Sequence, residues 1–413
     1  MFTRRKGFSL QKELGVLSTL LVVVLFLLTD TKSNHLLLWK LARRGQGCGD
    51  SRPQYSLVID AGSTGTRIHV YEFQKCLGER KLVDELFSEV KPGLSSFANE
   101  PSRAARSIKP LIELAKRRIP RKLQKKSRLS LIATAGLRLL NKEQVEAIME
   151  ALRQVLWREP FIIDRIEMID GAEEGFLAWK TVRFLQKEKG AGAVVMDLGG
   201  ASTQIVYALQ GDQQCESDCI SIQLENEQRL PVFRYSYLGY GLKEVRKRVK
   251  EGWVNSNTNQ NKELNEKEEF PCFSKGFTFR FNSTRSLSGE GNFEKCRKLI
   301  VDSMLAQTKK PPTLGINRQI VAFSYFYDRT VPLGLKSPIS PREIERVGKQ
   351  LCSAAVMTPE ISGQWCLDLA YLHGLLTETY GIESEQKIEV VKQIDGWEAG
   401  WALGSALEQL EKY

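Results

Sequence analysis

The stretch VIDAGSTGTRIHVY at residues 58–71 has a counterpart in VVMDLGGASTQIVY at 194–207. At an offset of 137 positions, with no gap, Asp60 falls on Asp197, Gly62 on Gly199, Thr66 on Thr203 and Ile68 on Ile205. Each stretch reads as a buried strand that ends in a glycine turn and returns as the second arm of a hairpin. One design written twice predicts two related lobes, each bringing one loop to a shared site.

The segments around the two hairpins fit that plan. SRAARSIKPLIELAKRRI has helical period, RLSLIATAGLRLL is a strand running into a loop, and NKEQVEAIMEALRQVLW is an amphipathic helix behind an Asn cap. IEMIDGAEEGFLAWKTVRFLQ is a loop opening a helix, RQIVAFSYFYDR is a strand, helices follow through 341–380, and IDGWEAGWALGSALEQL ends in a helix. Strands and helices in alternation, restarted once, predict an α/β protein. Residues 54–172 with 394–413 are assigned to lobe I and 173–393 to lobe II. A polar stretch at about 251–296 reads as an exposed, disulfide-tied excursion of lobe II.

The two loops carry the chemistry. Glycines let a strand end present several backbone N–H groups to a phosphate without a Cβ in the way. Ser63, Thr64, Gly65, Thr66 and Arg67 on one loop, and Gly200, Ala201 and Ser202 on the other, add hydroxyl donors and a permanent cation. Asp60 and Asp197 cannot attract an anion themselves. Their predicted task is to hold a divalent cation, Ca²⁺ or Mg²⁺, mainly through water. Hydrolysis also needs an aimed water, for which DGAEEGFLAW supplies Glu173 and Glu174; on a helix these point about 100° apart, so one alone can serve. Thr134 and Arg138, in IATAGLRLL, have a phosphate-side or water-side look. Tyr325 and Tyr327 alternate on what reads as one strand face, where a ring could stack on a base. Trp179, Trp397 and Trp401 read as core, and His69 as a residue of a strand face.

Charge and cysteine usage set the compartment. The chain carries a net charge of +11. Residues 1–44, with eight basic and two acidic side chains, hold +6 of it, so the folded part has a mild excess that fits an anionic ligand and argues against a nucleic-acid partner. Residues 1–13 read as a cytoplasmic tail, 14–29 as an uncharged membrane anchor or signal sequence, and 30–53 as a stem. Sixteen residues span about 24 Å, which suits a thin early-secretory membrane. Eight cysteines without a CxxC pair, and only three histidines, point to disulfides rather than zinc. Cys272–Cys296 and Cys352–Cys366 are the local pairings that spacing favours, with Cys215–Cys219 also open, and Asn282 in NST is a glycosylation acceptor.

Five stretches taken in order, VIDAGSTGTRIHVYEF, LIATAGLRLL, GAEEGFLAW, VVMDLGGASTQIVY and DGWEAGWALG, resemble the apyrase-conserved regions of the ectonucleoside triphosphate diphosphohydrolase family. The resemblance covers about residues 55–410. KPGLSSFA, SYLGYGLK and AFSYFYDR are most similar to its secretory-pathway nucleoside diphosphatase branch. It implies two actin-like, ribonuclease-H-type lobes with the site in the cleft between them. It also implies direct attack of water on the terminal phosphorus, with Glu174 as base, Ser202 and Gln204 aiming the water, and Tyr327 against the nucleobase. Trp397 departs from the smaller aliphatic residue of that branch. The reading is a type II enzyme of the Golgi or endoplasmic reticulum lumen acting on UDP and GDP. The alternatives are a broad apyrase acting on ATP and ADP, an exopolyphosphatase-like phosphatase, and an inactive nucleotide-binding protein.

Overall fold

The computed structural model describes residues 52–412 apart from 77–78, 188–191, 212, 214–216, 224–228, 257–266, 284, 315–317 and 356–360. The expected tail, hydrophobic run and nearly all of the stem lie outside the described residues, as do Cys48 and Cys215. No described helix is long and apolar enough to cross a membrane. Tyr55 and Tyr71–Glu85 belong to one compact unit, in which the Tyr55 hydroxyl donates to Glu72 at 3.0 Å. Ser56–Val70 and Leu86 onward belong to the other, which carries every site residue described below.

The first sheet contains β1 (Gln54–Ala61), β2 (Thr66–Cys76), β3 (Glu79–Val90), β4 (Arg128–Ala133) and β5 (Ile162–Met168), in the order β3-β2-β1-β4-β5. β1, β4 and β5 are parallel, with Ser56 beside Arg128 and Arg128 beside Ile162 at one edge, and Ala61, Ala133 and Met168 at the other. The second sheet is built from β6 (Val194–Leu198), β7 (Ser202–Ala208), β8 (Cys219–Gln223) and β9 (Arg229–Leu238). A small sheet of β10 (Lys267–Phe270), β11 (Thr278–Arg280) and β12 (Ser286–Gly289) follows before β13 (Ile320–Ser324) and β14 (Glu389–Val390) complete the second sheet. Its order is β14-β13-β6-β7-β9-β8. The run β2-β1-β4-β5 in one sheet is therefore matched by β7-β6-β13-β14 in the other, so the repeated sequence lies at the same place in a repeated topology. β15 (Gln393–Ile394) and β16 (Trp397–Glu398) pair as a minimal hairpin.

Helix starts follow local chemistry. Asn141 and Gln144 form a reciprocal capping box ahead of Lys142–Leu156. Asp170 accepts from the Glu173 backbone N–H at 2.7 Å and opens Gly171–Gln186. Against that helix lies Trp401–Glu411, where the Gly404 N–H donates to the Thr181 hydroxyl at 2.8 Å. Trp179, Trp397 and Trp401 are buried, as their sequence context predicts.

Two expectations are corrected. Tyr325 and Tyr327 do not share a strand face: Ser324 has a φ of 58°, which ends β13, and Tyr325–Asp328 forms a helical turn. The stretch at 251–296 is not simply an exposed excursion. Phe270, Phe273, Leu287 and Phe293 are buried in the core of the second half, and Cys272–Cys296 and Cys352–Cys366 are both bridged, at Cα separations of 4.7 and 4.8 Å. Burial of these side chains draws the described chain around them inward although the average composition of the stretch is polar. Asn282 is exposed in a bend.

Candidate active site

The parallel order of β1, β4 and β5 delivers three chain segments to one sheet edge, and the second sheet delivers the end of β6 and the start of β7. Glycine permits the two loops to meet: a Cβ on Gly200 would lie 2.6 Å from the Ser63 hydroxyl oxygen and 3.1 Å from a Thr64 methyl. Backbone hydrogen bonds from Leu242 N–H to Gly199 O at 2.9 Å, from Lys243 N–H to Gly200 O at 2.9 Å and from Gly239 N–H to Ala201 O at 2.8 Å fix the second loop. Thr134 is buried at the end of β4, with its N–H donating to Ala61 O at 3.3 Å.

Arg67 shapes the first loop. Its guanidinium pairs with Asp60 at 3.1 Å and Glu89 at 2.9 Å and donates to the Thr64 hydroxyl at 3.2 Å. The base side is a connected cluster. Arg138 donates to Glu174 Oε2 at 2.9 Å, to the Ser202 hydroxyl at 3.3 Å and to Ile169 O at 2.9 Å. Gln204 Nε2 donates to Ser202 Oγ at 2.8 Å, to Ser236 Oγ at 3.1 Å and, at 3.4 Å, to Glu174 Oε2. Of the adjacent carboxylates, Glu174 is 8% exposed in this cluster, whereas Glu173 turns to Arg165 at 2.9 Å. The helical divergence expected of the pair is what separates them.

Burial dominates the electrostatics. It pushes the Glu174 carboxyl up to about 8; Arg138 opposes the shift, and Asp197 and Asp60 add to it. Burial also raises Asp197 to about 6, opposed by the Ser324 hydroxyl and reinforced by Asp60. Asp60 is raised by the same loss of water, with Arg67 pulling it back. Oδ1 of Asp60 and Oδ1 of Asp197 are both buried without a hydrogen-bond partner. Two orphaned carboxylate oxygens beside phosphate-type loops fit a hard divalent cation. Among the described residues no group of three His, Cys, Asp or Glu gathers around one point, so water would complete such a cation's shell.

The structure thus brings Glu174, Ser202 and Gln204 into direct contact and places Ser63, Thr64 and Gly200 against one another. Tyr327 is half-buried on the turn after β13. Sequence reading missed Ser236, Glu89 and Ser324. Ser236 lay inside SYLGYGLK, a stretch noted only for its resemblance, and the other two had no local signal.

A model of the GDA1/CD39 (nucleoside phosphatase) family matches residues 48–413. The chain belongs to the GDA1/CD39 nucleoside phosphatase family. Among its relatives, the guanosine-diphosphatase of Schizosaccharomyces pombe is 32% identical, aligned over 88% of this chain and 75% of the relative. The nucleoside diphosphate phosphatase ENTPD5 of Homo sapiens is 32% identical, over 86% of this chain and 87% of the relative. In fold, the chain is similar to a nucleoside triphosphate hydrolase from Neospora caninum, with a TM-score of 0.65, 16% identity and coverage of 92% and 96%. As a member of the GDA1/CD39 family the chain is a phosphoanhydride hydrolase, and the resemblance read from its five motifs holds.

Proposed function

We propose that this enzyme hydrolyses nucleoside diphosphates, UDP and GDP among them, to the monophosphate and phosphate, with Ca²⁺ or Mg²⁺. The observation that carries the reading is the cluster in which Glu174, Ser202 and Gln204 share hydrogen bonds beside the two phosphate-type loops. The names of the two relatives above, a guanosine-diphosphatase and a nucleoside diphosphate phosphatase, support the substrate class. Asp60 and Asp197 would hold the cation, which when bound supplies neutralisation of phosphate charge.

The remaining chemistry belongs to the chain. Ser63 to Arg67 and Gly200 to Ser202 bind the phosphates and orient the terminal phosphorus between the loops, with Thr134 at the same edge. Ser202 and Gln204 hold a water in line, and the ionised Glu174 carboxylate takes its proton as the oxygen attacks phosphorus. The bond to the bridging oxygen breaks, and the monophosphate leaves. Tyr327 stacks on the base. Arg138 keeps Glu174 turned toward the water and limits how far burial raises its pKa. Little covalent chemistry is left to the protein, so positioning and charge stabilisation carry the rate.

The disulfides and the exposed Asn282 acceptor support a lumenal catalytic part, in the Golgi or endoplasmic reticulum, anchored through residues 14–29. There it would clear the diphosphates released by glycosyl transfer.

The test is phosphate release from UDP, GDP, ADP, CDP and ATP by wild type and Glu174→Gln. Fast diphosphate and slow ATP cleavage is expected, with Glu174→Gln slower by about 10²–10⁴-fold in kcat and little changed in nucleotide affinity. Undiminished turnover in the variant would remove Glu174 as base, and ATP cleaved as fast as UDP would make the enzyme a broad apyrase.

A further inference from the structure

The stretch SYLGYGLK ends on a lysine, Lys243, that the proposed reaction leaves without a task. Lys243 is the second residue of the helix Leu242–Ser256, and its N–H donates to Gly200 O at 2.9 Å, so this helix begins on the second phosphate-type loop. Its side chain lies against the same loop. The Cβ position of Gly200, 2.6 Å from the Ser63 hydroxyl oxygen, is 3.5 Å from Lys243 Cδ. The lysine stem therefore runs past the point where the two loops meet.

Nothing local rewards a cation at this place. The first turn of a helix presents the positive end of the dipole, which disfavours a lysine. Lys243 is exposed, and no carboxylate pairs with it among the described residues. Its charged surroundings are mostly cationic. Glu89 divides its carboxylate between Arg67 at 2.9 Å and Lys91 at 3.1 Å, and its Oε1 would be 2.6 Å from a Cβ on Gly65, which sets both cations against the first loop. Partial loss of water and then Lys91, Arg246 and Arg67 hold Lys243 below the ordinary lysine pKa, with Glu89 opposing them. An anionic group brought among these cations relieves their repulsion.

Depth selects the anion. Asp60, Glu174 and Asp197 are each 8% exposed and form the floor of the site, where the proposed reaction places the terminal phosphorus. Lys243 and Lys91 are exposed and stand at its rim. A nucleoside diphosphate held at the floor by its terminal phosphate carries its other phosphate at the rim.

We infer that Lys243 binds the phosphate that stays with the nucleoside, reaching it from the second half of the chain, while Lys91 faces the same phosphate from the first. The inference deepens the diphosphatase reading and rests on it. Lys243 is the stronger contact, because Lys91 already shares its charge with Glu89. A ligand with a single phosphorus fills the floor without meeting either lysine, so the pair favours a diphosphate over its products.

The test is Lys243→Met in the full chain, with Lys243→Arg and Lys247→Met beside it. The probes are UDP, its non-hydrolysable methylene analogue and inorganic phosphate. In Lys243→Met the KM for UDP and the Kd of the analogue are expected to rise about 10–100-fold, the worth of a charge-assisted contact. kcat is expected to change far less, which also reports an intact fold. Lys243→Arg keeps the charge and is expected to retain most of the affinity. Lys247→Met removes an equal charge one turn along the helix and is expected to leave KM and Kd in place. Inhibition by inorganic phosphate, which has no second phosphorus, is expected to be the same in wild type and Lys243→Met. Unchanged KM and Kd in Lys243→Met overturn the inference, as do equal losses in Lys247→Met, which would reduce the effect to general charge. Weaker inhibition by inorganic phosphate in Lys243→Met overturns it too, by moving the lysine to the terminal phosphate. A wild type that neither cleaves UDP nor binds the analogue overturns the diphosphatase reading itself, and the inference falls with it.

Discussion

Glu174 shows how one carboxylate is tuned by competing influences. Burial and two neighbouring aspartates favour its protonated form, and the Arg138 guanidinium at 2.9 Å favours its ionised form. A base must be ionised to act, so burial moves the lower pH boundary of hydrolysis up, and Arg138 draws it back down while fixing the direction in which Glu174 points. Replacing Arg138 by Gln removes the opposing charge and raises the Glu174 pKa further. The acidic limb of the kcat/KM profile is therefore expected to move to higher pH, with a fall in kcat at neutral pH. A limb that stays in place when Arg138 is replaced would show that a different group controls it. Glu173, one position earlier, is tied to Arg165 and is expected to be replaceable by Gln with little loss of turnover.

At the scale of elements, the placement of Glu174 depends on how its helix is seated. Gly404 of the last helix lies against Gly171–Gln186 so closely that a Cβ there would be 2.0 Å from the Leu177 carbonyl oxygen. That neighbour is backbone, so the helices must part to admit even a methyl group. Gly404→Ala is expected to cost about 1–3 kcal/mol in stability. It should lower kcat more than it raises KM, because the displaced helix carries the base and not the phosphate loops. Gly252, in Leu242–Ser256 with open space around it, provides the control: its Ala variant is expected to be neutral or slightly stabilising. If the two variants behave alike, close packing at Gly404 is not what seats the helix.

The same scale shows what a sequence discloses. The paired hairpins, the Asn141 cap and the split between Glu173 and Glu174 were legible because strand period, glycine turns and helical angle are local properties. The turn at Tyr325 was not, since a non-glycine residue, Ser324, takes the positive φ. Ser236 and Glu89 reach the site from β9 and β3, partners that only strand pairing brings there.

For the molecule as a whole, both sheets end at buried carboxylates, and this burdens the fold when no cation is present. Glu174, held near 8 in the folded chain, lies well above its ordinary value of 4.5. A raised folded pKa means that its contribution is fully present below about pH 4.5 and is lost as pH rises through about 8. In chelator, stability should therefore decline over that window by a few kcal/mol at most from this group, and Glu174→Gln should flatten the decline. A divalent cation binds the folded state alone and should raise Tm in wild type. Asp60→Asn and Asp197→Asn should each raise Tm in chelator, because each removes a buried charge whose second oxygen has no partner, and each should shrink the gain on adding Ca²⁺ or Mg²⁺. Thermal unfolding of the three proteins, with chelator and with cation, checks both statements together. A full gain in either Asn variant would place the cation elsewhere, whereas lower Tm in chelator would mean that the aspartates hold the loops through contacts other than charge.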